Sequence, residues 1–201
     1  MNNPNKPAKP TQWTTDGYWQ AARQIHSPNQ DQRPVDAEVS LIVIHNISLP
    51  PNEFGGPGVE QLFTNTLNPD EHPYYRDIAK VEVSAHFLIR RAGEVIQFVS
   101  CDQRAWHAGQ SSWNGQQRCN EFSIGIELEG SDFVPFEPAQ YAALSQLISA
   151  MIEHYPITAV VGHEHIAPGR KTDPGPCFDW SEVNSLCAAN GISQCGPKTD
   201  N

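Results

Sequence analysis

The sequence predicts an α/β domain with one central sheet, and three observations support this fold class. Two apolar, β-branched runs, 39–48 and 157–163, are typical of buried strands. The segment 137–155 repeats apolar residues at the spacing of an α-helix. Strand-like and helix-like segments are also interspersed along the whole chain, which favours one layered α/β domain.

The first half of the domain is predicted to supply a strand and a hairpin. Residues 15–38 show little periodicity and are predicted to be an irregular lead-in to the strand at 39–48. A turn-rich loop and two short helices follow, at 49–58, 59–67 and 72–81. The segment 84–100 contains two strand-like runs on either side of Ala92-Gly93, so we expect a β-hairpin there.

The second half is predicted to add two strands and two helices. The strand at 121–130 alternates between an apolar side and a side with Ser123, Gly125, Glu127 and Glu129. Pro138 suits the first turn of the helix at 137–155. The run 157–163 is a short strand, and a last helix, 179–190, is ended by Gly191.

The composition indicates one globular domain with many loops. The chain has 201 residues, enough for one sizeable core, and contains 17 prolines and 14 glycines. Its net charge of −10 argues against a nucleic-acid partner, which would require a basic face. We expect a disordered extension at 1–12, the domain at 13–190 and a tail at 191–201.

The location of the protein is predicted from segments that the sequence lacks. Residues 1–12 contain no apolar run of the signal-peptide type, and no apolar run is long enough for a transmembrane helix. We therefore expect a cytoplasmic protein with no membrane partner. The five cysteines show no CxxC spacing, so free thiols in a reducing compartment are expected.

Three residues near strand ends are candidate metal ligands. His45 and His163 each follow an apolar run, and Asp173 stands directly before Pro174. Zinc binds imidazole nitrogen and carboxylate oxygen, and catalytic sites use three such ligands. His165 shares a predicted strand face with His163, so spacing cannot choose between them. A packed histidine and an ordinary Asp-Pro turn are the structural alternatives.

Two further charged residues are candidate catalytic groups. Lys171 lies two positions before Asp173, so an extended segment directs both side chains to one side. Its ammonium would then lie near a bound metal, unless it is simply a solvated charge. Glu127 could act as a general base, but Glu129 fits the pattern equally well. Both glutamates could also simply face solvent.

Four stretches of the chain carry a family resemblance, and two of them contain the distinctive motifs HNISLPPNEFGGP and RKTDPGP. The stretches are IHNISLPPNEFGGP (44–57), VSAHFLIRRAGEVIQFV (83–99), RAWHAGQSSWNGQQRCNEFSIGIELEG (104–130) and GHEHIAPGRKTDPGPCFDW (162–180). They resemble the type-2 N-acetylmuramoyl-L-alanine amidases, and within them the cytoplasmic 1,6-anhydro-N-acetylmuramyl-L-alanine amidases of cell-wall recycling. The resemblance covers about Gly17 to Trp180.

The resemblance implies a fold, a reaction and a set of site residues. The fold would be the type-2 zinc amidase fold shared with peptidoglycan recognition proteins, a mixed central sheet flanked by helices. The reaction would be zinc-dependent hydrolysis of the amide between the lactyl group of 1,6-anhydro-N-acetylmuramic acid and L-alanine in muropeptides. One Zn²⁺ would be bound by His45, His163 and Asp173. Glu127 and Lys171 would be catalytic, and the anhydromuropeptide groove would be lined by Asn46, Trp106, Arg118 and Ala167.

Other functions remain open at the level of sequence. A peptidoglycan-binding module that had lost its metal would be expected to lack one of the ligands, and here all three are present. An exported enzyme of the same fold would cut the intact wall. A structural helper that acts through its acidic surface has no sequence feature in its favour. We expect a monomeric enzyme.

Overall fold

A seven-stranded sheet forms the centre of the computed structural model, which describes residues 12–192 and 194–196. The expectation of disorder at 1–12 therefore concerns, apart from Gln12, residues outside the described part. The strands are β1 (Arg23–Gln24), β2 (Gln30–Gln32), β3 (Leu41–Ile47), β4 (Phe87–Ile89), β5 (Val95–Gln97), β6 (Gln103–Ala105), β7 (Ser112–Trp113), β8 (Gln116–Gln117), β9 (Ser123–Glu129), β10 (Ala159–Gly162) and β11 (Gln194–Cys195). The helices are α1 (Gly58–Phe63), α2 (Tyr75–Ile78), α3 (Pro138–His154), α4 (His163–Ile166) and α5 (Ser181–Ala189), with a 3₁₀ turn at Cys119–Glu121.

The sheet is mixed, as predicted. Its strand order is β1-β5-β4-β9-β3-β10-β11. The hairpin partners β4 and β5 are antiparallel, whereas the other neighbours in this sheet are parallel. The α/β fold class and the hairpin at 84–100 are therefore confirmed. The parallel strands β9, β3 and β10 lie side by side, so their carboxyl ends meet at one edge of the sheet.

Helix α3 covers one face of the sheet. Alternate residues of β3 and β9, including Ile44 and Ile126, pack in one core cluster with the apolar side of this helix, which comprises Leu144, Leu147, Ile148 and Met151. The predicted alternation in β9 is thus confirmed. Gln140 fixes the start of the helix, because its Oε1 accepts a hydrogen bond from the Glu137 amide at 3.0 Å and its Nε2 donates to carbonyls of the sheet.

The opposite side of β9 is also buried, so the interpretation of its glutamates as solvent-facing is wrong. Glu127 is 8% exposed and Glu129 is 2% exposed. Segments on this side, including α1, form separate core clusters that cover the polar side of the strand. A strand covered on both faces can retain an alternating sequence when its polar side faces a site rather than solvent.

Several element boundaries differ from the prediction. The two helices predicted at 59–67 and 72–81 are shorter, since α1 ends at Phe63 and α2 is a single turn. The lead-in at 15–38 contributes β1 and β2, and the segment predicted as a tail contributes β11. These strands have two or three residues, too few to show a period, and they exist through pairing with distant partners. The strand predicted at 157–163 ends at Gly162, and His163 begins α4.

Glu129 has a structural role and is not available as a general base. Its carboxylate accepts hydrogen bonds from Arg90 Nη1 at 2.8 Å, from the Gly55 amide at 2.7 Å and from the Arg91 amide at 3.1 Å. It therefore fixes the loop after β3 and the hairpin turn to the end of β9.

We expect Glu129→Ala to lower the free energy of unfolding by about 3 kcal/mol, because it leaves three partly buried donors without their acceptor. The matched control is Glu94→Ala, which removes a half-exposed partner of Arg23 and should cost less than about 1 kcal/mol. Urea unfolding of both variants measures the difference. Equal losses in the two variants would contradict the role given to Glu129.

Candidate active site

Three candidate site residues lie level with one another on the central parallel strands or directly after them. The register pairs His45 of β3 with Glu127 of β9. It also pairs Ile44 with Gly162 of β10, so His163, the next residue, follows at the level of His45. The carboxyl ends of parallel strands are where open α/β sheets place their sites. The chain between β10 and Trp180 folds back, so that Asp173 also lies at this edge of the sheet.

His45, His163 and Asp173 converge on one point. His45 Nδ1 is 2.9 Å from His163 Nδ1 and 2.9 Å from Asp173 Oδ2, and His163 Nδ1 is 3.0 Å from Asp173 Oδ2. Ligand atoms on a tetrahedral zinc ion lie about 3.3 Å apart at the usual bond lengths. The three atoms could therefore hold a metal ion with only small shifts.

The protonation of these groups also fits a cation. His163 Nε2 lies 3.1 Å from the Ala108 carbonyl oxygen, which can only accept, so the proton is on Nε2 and Nδ1 has a free lone pair. Burial lowers the pKa of His45 to about 4, although Asp173 opposes this, so its imidazole is neutral at pH 7. Burial raises the pKa of Asp173, but the two imidazoles outweigh it and keep the carboxyl ionised. Electron pairs therefore converge on one point, and a divalent cation fits that donor set.

Glu127 is a buried carboxyl group with an unsatisfied atom. Its Oε2 has no hydrogen-bond partner among the described residues. Burial raises the pKa of Glu127 well above its ordinary value, and the charge of Asp173 raises it further, while Lys171 opposes the shift. A buried carboxyl group with a raised pKa beside candidate metal ligands is a candidate general acid–base group. This isolation distinguishes Glu127 from Glu129, whose oxygens are fully engaged.

One small cavity brings most of the candidate residues together. It has a volume of about 230 Å³, and it is lined by the three candidate ligands together with Glu127, Lys171, Asn46 and Trp106. Trp106 is half-buried, so it is not a core residue. Asn46 Nδ2 donates to Asp132 Oδ1 at 2.8 Å and to the Pro174 carbonyl at 3.0 Å, which fixes the chain next to Asp173.

Arg118 and Ala167 line a second cavity of about 390 Å³. The Arg118 side chain is 71% exposed and pairs with Glu121 at 2.8 Å. Ala167 is buried, and its carbonyl accepts the amides of Arg170 and Lys171, which shapes the loop that leads to Asp173. These two candidates therefore line a different cavity from the one that contains the metal cluster.

The sequence prediction was wrong for one histidine near the cluster, His165, and it missed another, His107. His163 and His165 were predicted to share a strand face, and this is wrong, because both lie in the helical turn α4, where residues two apart point in different directions. His165 Nδ1 accepts the Gly162 amide at 2.8 Å and lies outside the cluster. His107 was not predicted at all, yet it lines the cavity and contacts His45.

Acid–base groups that share a small cavity with candidate metal ligands, at the ends of parallel strands, define a hydrolytic enzyme able to use a metal ion. Comparison with known proteins narrows that class. The family model for N-acetylmuramoyl-L-alanine amidase matches residues 35–176, and the chain belongs to this family. The predicted enzyme class and fold are thereby confirmed.

No helix within the described ranges is long and apolar enough to span a membrane.

The relatives of the chain are amidases along most of its length. The 1,6-anhydro-N-acetylmuramyl-L-alanine amidase AmpD of Citrobacter freundii is 54% identical over 173 residues, which is 85% of this chain and 92% of that protein. The crystal structure of a selenomethionine AmpD derivative, also 54% identical, matches with a TM-score of 0.83 over 85% of this chain and 97% of that one. The predicted resemblance to 1,6-anhydro-N-acetylmuramyl-L-alanine amidases is therefore confirmed.

A third relative has been solved with its substrate. The N-acetylmuramyl-L-alanine amidase AmiD from Escherichia coli, in complex with anhydro-N-acetylmuramic acid-L-Ala-D-gamma-Glu-L-Lys, matches with a TM-score of 0.56 at 34% identity. The match covers 84% of this chain and 63% of AmiD. The family and its members thus support amidase activity on muropeptides as the function.

Proposed function

We propose that this protein is a zinc-dependent amidase that cuts the bond between the lactyl group of 1,6-anhydro-N-acetylmuramic acid and L-alanine in free muropeptides. The observation that carries the proposal is the convergence of His45 Nδ1, His163 Nδ1 and Asp173 Oδ2 within 3.0 Å of one another. The similarity to AmpD supports the choice of substrate. The enzyme would act as a monomer in the cytoplasm, in peptidoglycan recycling.

The residues of the cavity have distinct roles in this reaction. A zinc ion bound by His45, His163 and Asp173 would supply a Lewis acid and lower the pKa of a bound water to about 7. Glu127 takes a proton from the attacking water and returns it to the leaving amine of L-alanine. The Lys171 ammonium stabilises the negative charge that develops on the amide oxygen.

The remaining candidates would line the groove that binds the substrate. Trp106, half-buried beside the cluster, would contact the anhydro sugar, and Asn46 would position the segment that carries Asp173. Arg118 would bind a carboxylate of the stem peptide from the second cavity, which Ala167 also lines. A local cation of this kind is needed because the whole protein carries a net charge of −10.

The proposal is tested by digesting purified anhydromuropeptide and intact sacculi side by side, with and without a zinc chelator. We expect release of the peptide from the anhydromuropeptide alone, and loss of this activity on chelation. Cleavage of intact sacculi would instead indicate an enzyme that acts on the assembled wall. Muropeptide binding without cleavage, and without bound metal, would indicate a binding module.

Lys171→Ala should lower kcat about 10²–10³-fold, the usual effect of losing one group that stabilises the oxyanion. Metal content and Tm should stay unchanged, since Lys171 is exposed and is not one of the ligands. Lys80→Ala, which removes an exposed lysine outside the cavity, is the matched control. Steady-state kinetics on anhydromuropeptide measure both variants. Near-normal turnover of Lys171→Ala would exclude the role.

A further inference from the structure

Two cysteines outside the active site lie in unusually close contact. Cys187 of α5 and Cys195 of β11 place their sulfur atoms 2.6 Å apart. The chain reverses between them at Gly191, whose φ of +71° is in the left-handed region. Cys187 is 1% exposed, whereas Cys195 is partly exposed. Two thiols this close need only a small movement to reach the ~2.05 Å of a disulfide bond.

The other three cysteines have different surroundings. Cys101 and Cys119 are fully buried. The Cys177 thiol donates a hydrogen bond to the Asp132 carbonyl at 3.3 Å. Burial raises the pKa of the Cys119 thiol. A sulfur partner and access to solvent through Cys195 thus coincide in this pair.

We propose that Cys187 and Cys195 form an oxidation site that a low-molecular-weight disulfide, such as oxidised glutathione, converts to an intramolecular disulfide. The Cys195 thiolate attacks the reagent, forms a mixed disulfide and releases one thiolate. The Cys187 thiolate then attacks the Cys195 sulfur and releases the second. Two protein thiols are oxidised, one small disulfide is reduced to two thiols, and the protons of the protein thiols pass to the released thiolates.

The bond would fasten the edge of the central sheet. β11 pairs in parallel with β10, and the Gly196 amide donates to the Val160 carbonyl at 2.9 Å. The link would join this edge strand covalently to α5. Because β10 leads directly into His163, oxidation would link β11, the strand that pairs with β10, to α5. The cavity residues themselves would remain unmodified.

The test treats the folded protein with excess oxidised glutathione, blocks free thiols under denaturing conditions and maps the peptides by mass spectrometry. We expect two of the five thiols not to react with the blocking reagent, and a Cys187–Cys195 disulfide to be found within one chain. In Cys187→Ser the link should be absent and Cys195 should keep the glutathione. Cys177→Ser is the control and should oxidise as the wild type does. Five blocked thiols in the wild type, or links only between chains, would overturn the proposal.

A second inference comes from a separate set of contacts behind the metal cluster, and it rests on the proposed function. His45 Nε2 lies 3.0 Å from His107 Nδ1, and His107 Nε2 lies 3.2 Å from Ser123 Oγ. The Ser123 hydroxyl donates in turn to the Cys119 carbonyl at 2.6 Å. His107 fits closely here, because a Cβ added to Gly125 would come within 2.5 Å of its ring.

The direction of this chain of hydrogen bonds is fixed at its far end. The Cys119 carbonyl can only accept, so the Ser123 proton points to it. Ser123 Oγ must then accept from His107 Nε2, which leaves His107 Nδ1 without a proton. His107 Nδ1 therefore accepts from His45 Nε2, and the lone pair of His45 is left on Nδ1. That atom is the one that faces His163 and Asp173.

The geometry points to His107 as a positioning residue that sets the tautomer of His45 and so directs its free nitrogen to the metal. It has no contact with substrate in this role. Partners of this kind behind a metal-bound imidazole typically change metal affinity about 10–100-fold when they are removed.

Zinc affinity, measured by competition with a chromophoric chelator, tests the role. We expect His107→Phe to bind zinc about 10–100-fold more weakly. His107→Asn, whose side-chain oxygen can accept the His45 proton, should recover part of the loss. His26→Ala, which removes a histidine outside the cavity, is the control. A folded His107→Phe variant with wild-type zinc affinity would overturn the inference.

Tautomers read by ¹⁵N NMR of labelled histidines separate this inference from the proposed function. In the metal-free wild type, His45 should be protonated on Nε2 only, and Ser123→Ala should give a mixture of tautomers. An unchanged tautomer in Ser123→Ala would overturn the inference even where His107→Phe fails to fold. Failure of the wild type to bind zinc would count against the proposed function alone.

Discussion

Glu127→Gln should abolish amide hydrolysis while the protein remains at least as stable as the wild type. Loss of a general base typically lowers the rate about 10²–10⁴-fold, and glutamine cannot accept the proton. The side chain keeps its shape, so the cluster of His45, His163 and Asp173 should still bind metal. Because Oε2 of Glu127 is buried without a partner among the described residues, its replacement removes no native hydrogen bond at that atom.

The pH dependence of stability gives this prediction a second measurement. Burial raises the pKa of Glu127 in the folded state above its ordinary value of 4.5. The folded protein therefore holds the proton more tightly, and metal-free wild type should lose stability as the pH rises from about 4.5 through the folded value. Glu127→Gln has no such loss, so its advantage in Tm should grow between pH 4 and pH 7.

Glu129→Gln is the matched control, since it makes the same chemical change two residues further along the same face of β9. Glu129 accepts three hydrogen bonds, two of them from backbone amides, so this variant should lose stability. Thermal melts with excess chelator and kinetics with zinc measure both properties. A Glu127→Gln enzyme with wild-type kcat, or with a Tm that falls as far as that of the control, would contradict the role of Glu127.

The contrast between these two glutamates shows what the sequence could and could not predict. The alternation in β9 correctly placed both on one side of the strand, because side-chain direction follows from the period of two. Their burial and their different partners depend on Arg90 and on the loop at Gly55, which lie far away in the sequence. Pattern alone therefore left the choice open, and only the family resemblance favoured Glu127.

The histidines give a similar result at an element boundary. The apolar run that ends at His163 indicated a strand, but β10 stops at Gly162, and the chain enters a helical turn. Periodicity cannot locate such a boundary within a few residues, so the expected equivalence of His163 and His165 failed. His107 is linked to His45 by tertiary contact alone, which explains why no local pattern revealed it.

Asp173→Asn should remove the bound metal and, with it, the activity. The substitution keeps the size of the side chain but replaces an ionised carboxylate with a neutral amide. His45 and His163 would then be the only remaining ligands of the cluster, and two neutral imidazoles cannot offset the charge of a divalent ion. The loss of zinc affinity should exceed the about 10–100-fold typical of residues that only support a ligand.

Zinc content, turnover and ligand-dependent stability measure this loss together. Wild-type protein should contain one zinc per chain, and its Tm should rise with added zinc, because a ligand that binds the native state stabilises it. Asp173→Asn should show neither effect, whereas Asp36→Asn, at an exposed position, should behave as the wild type does. Asn at position 173 can still contact both imidazoles, so a folded variant without zinc would assign the loss to the missing charge. A variant that retained one tightly bound zinc would show that the carboxylate is not a ligand, and the proposed metal centre would have to be rejected.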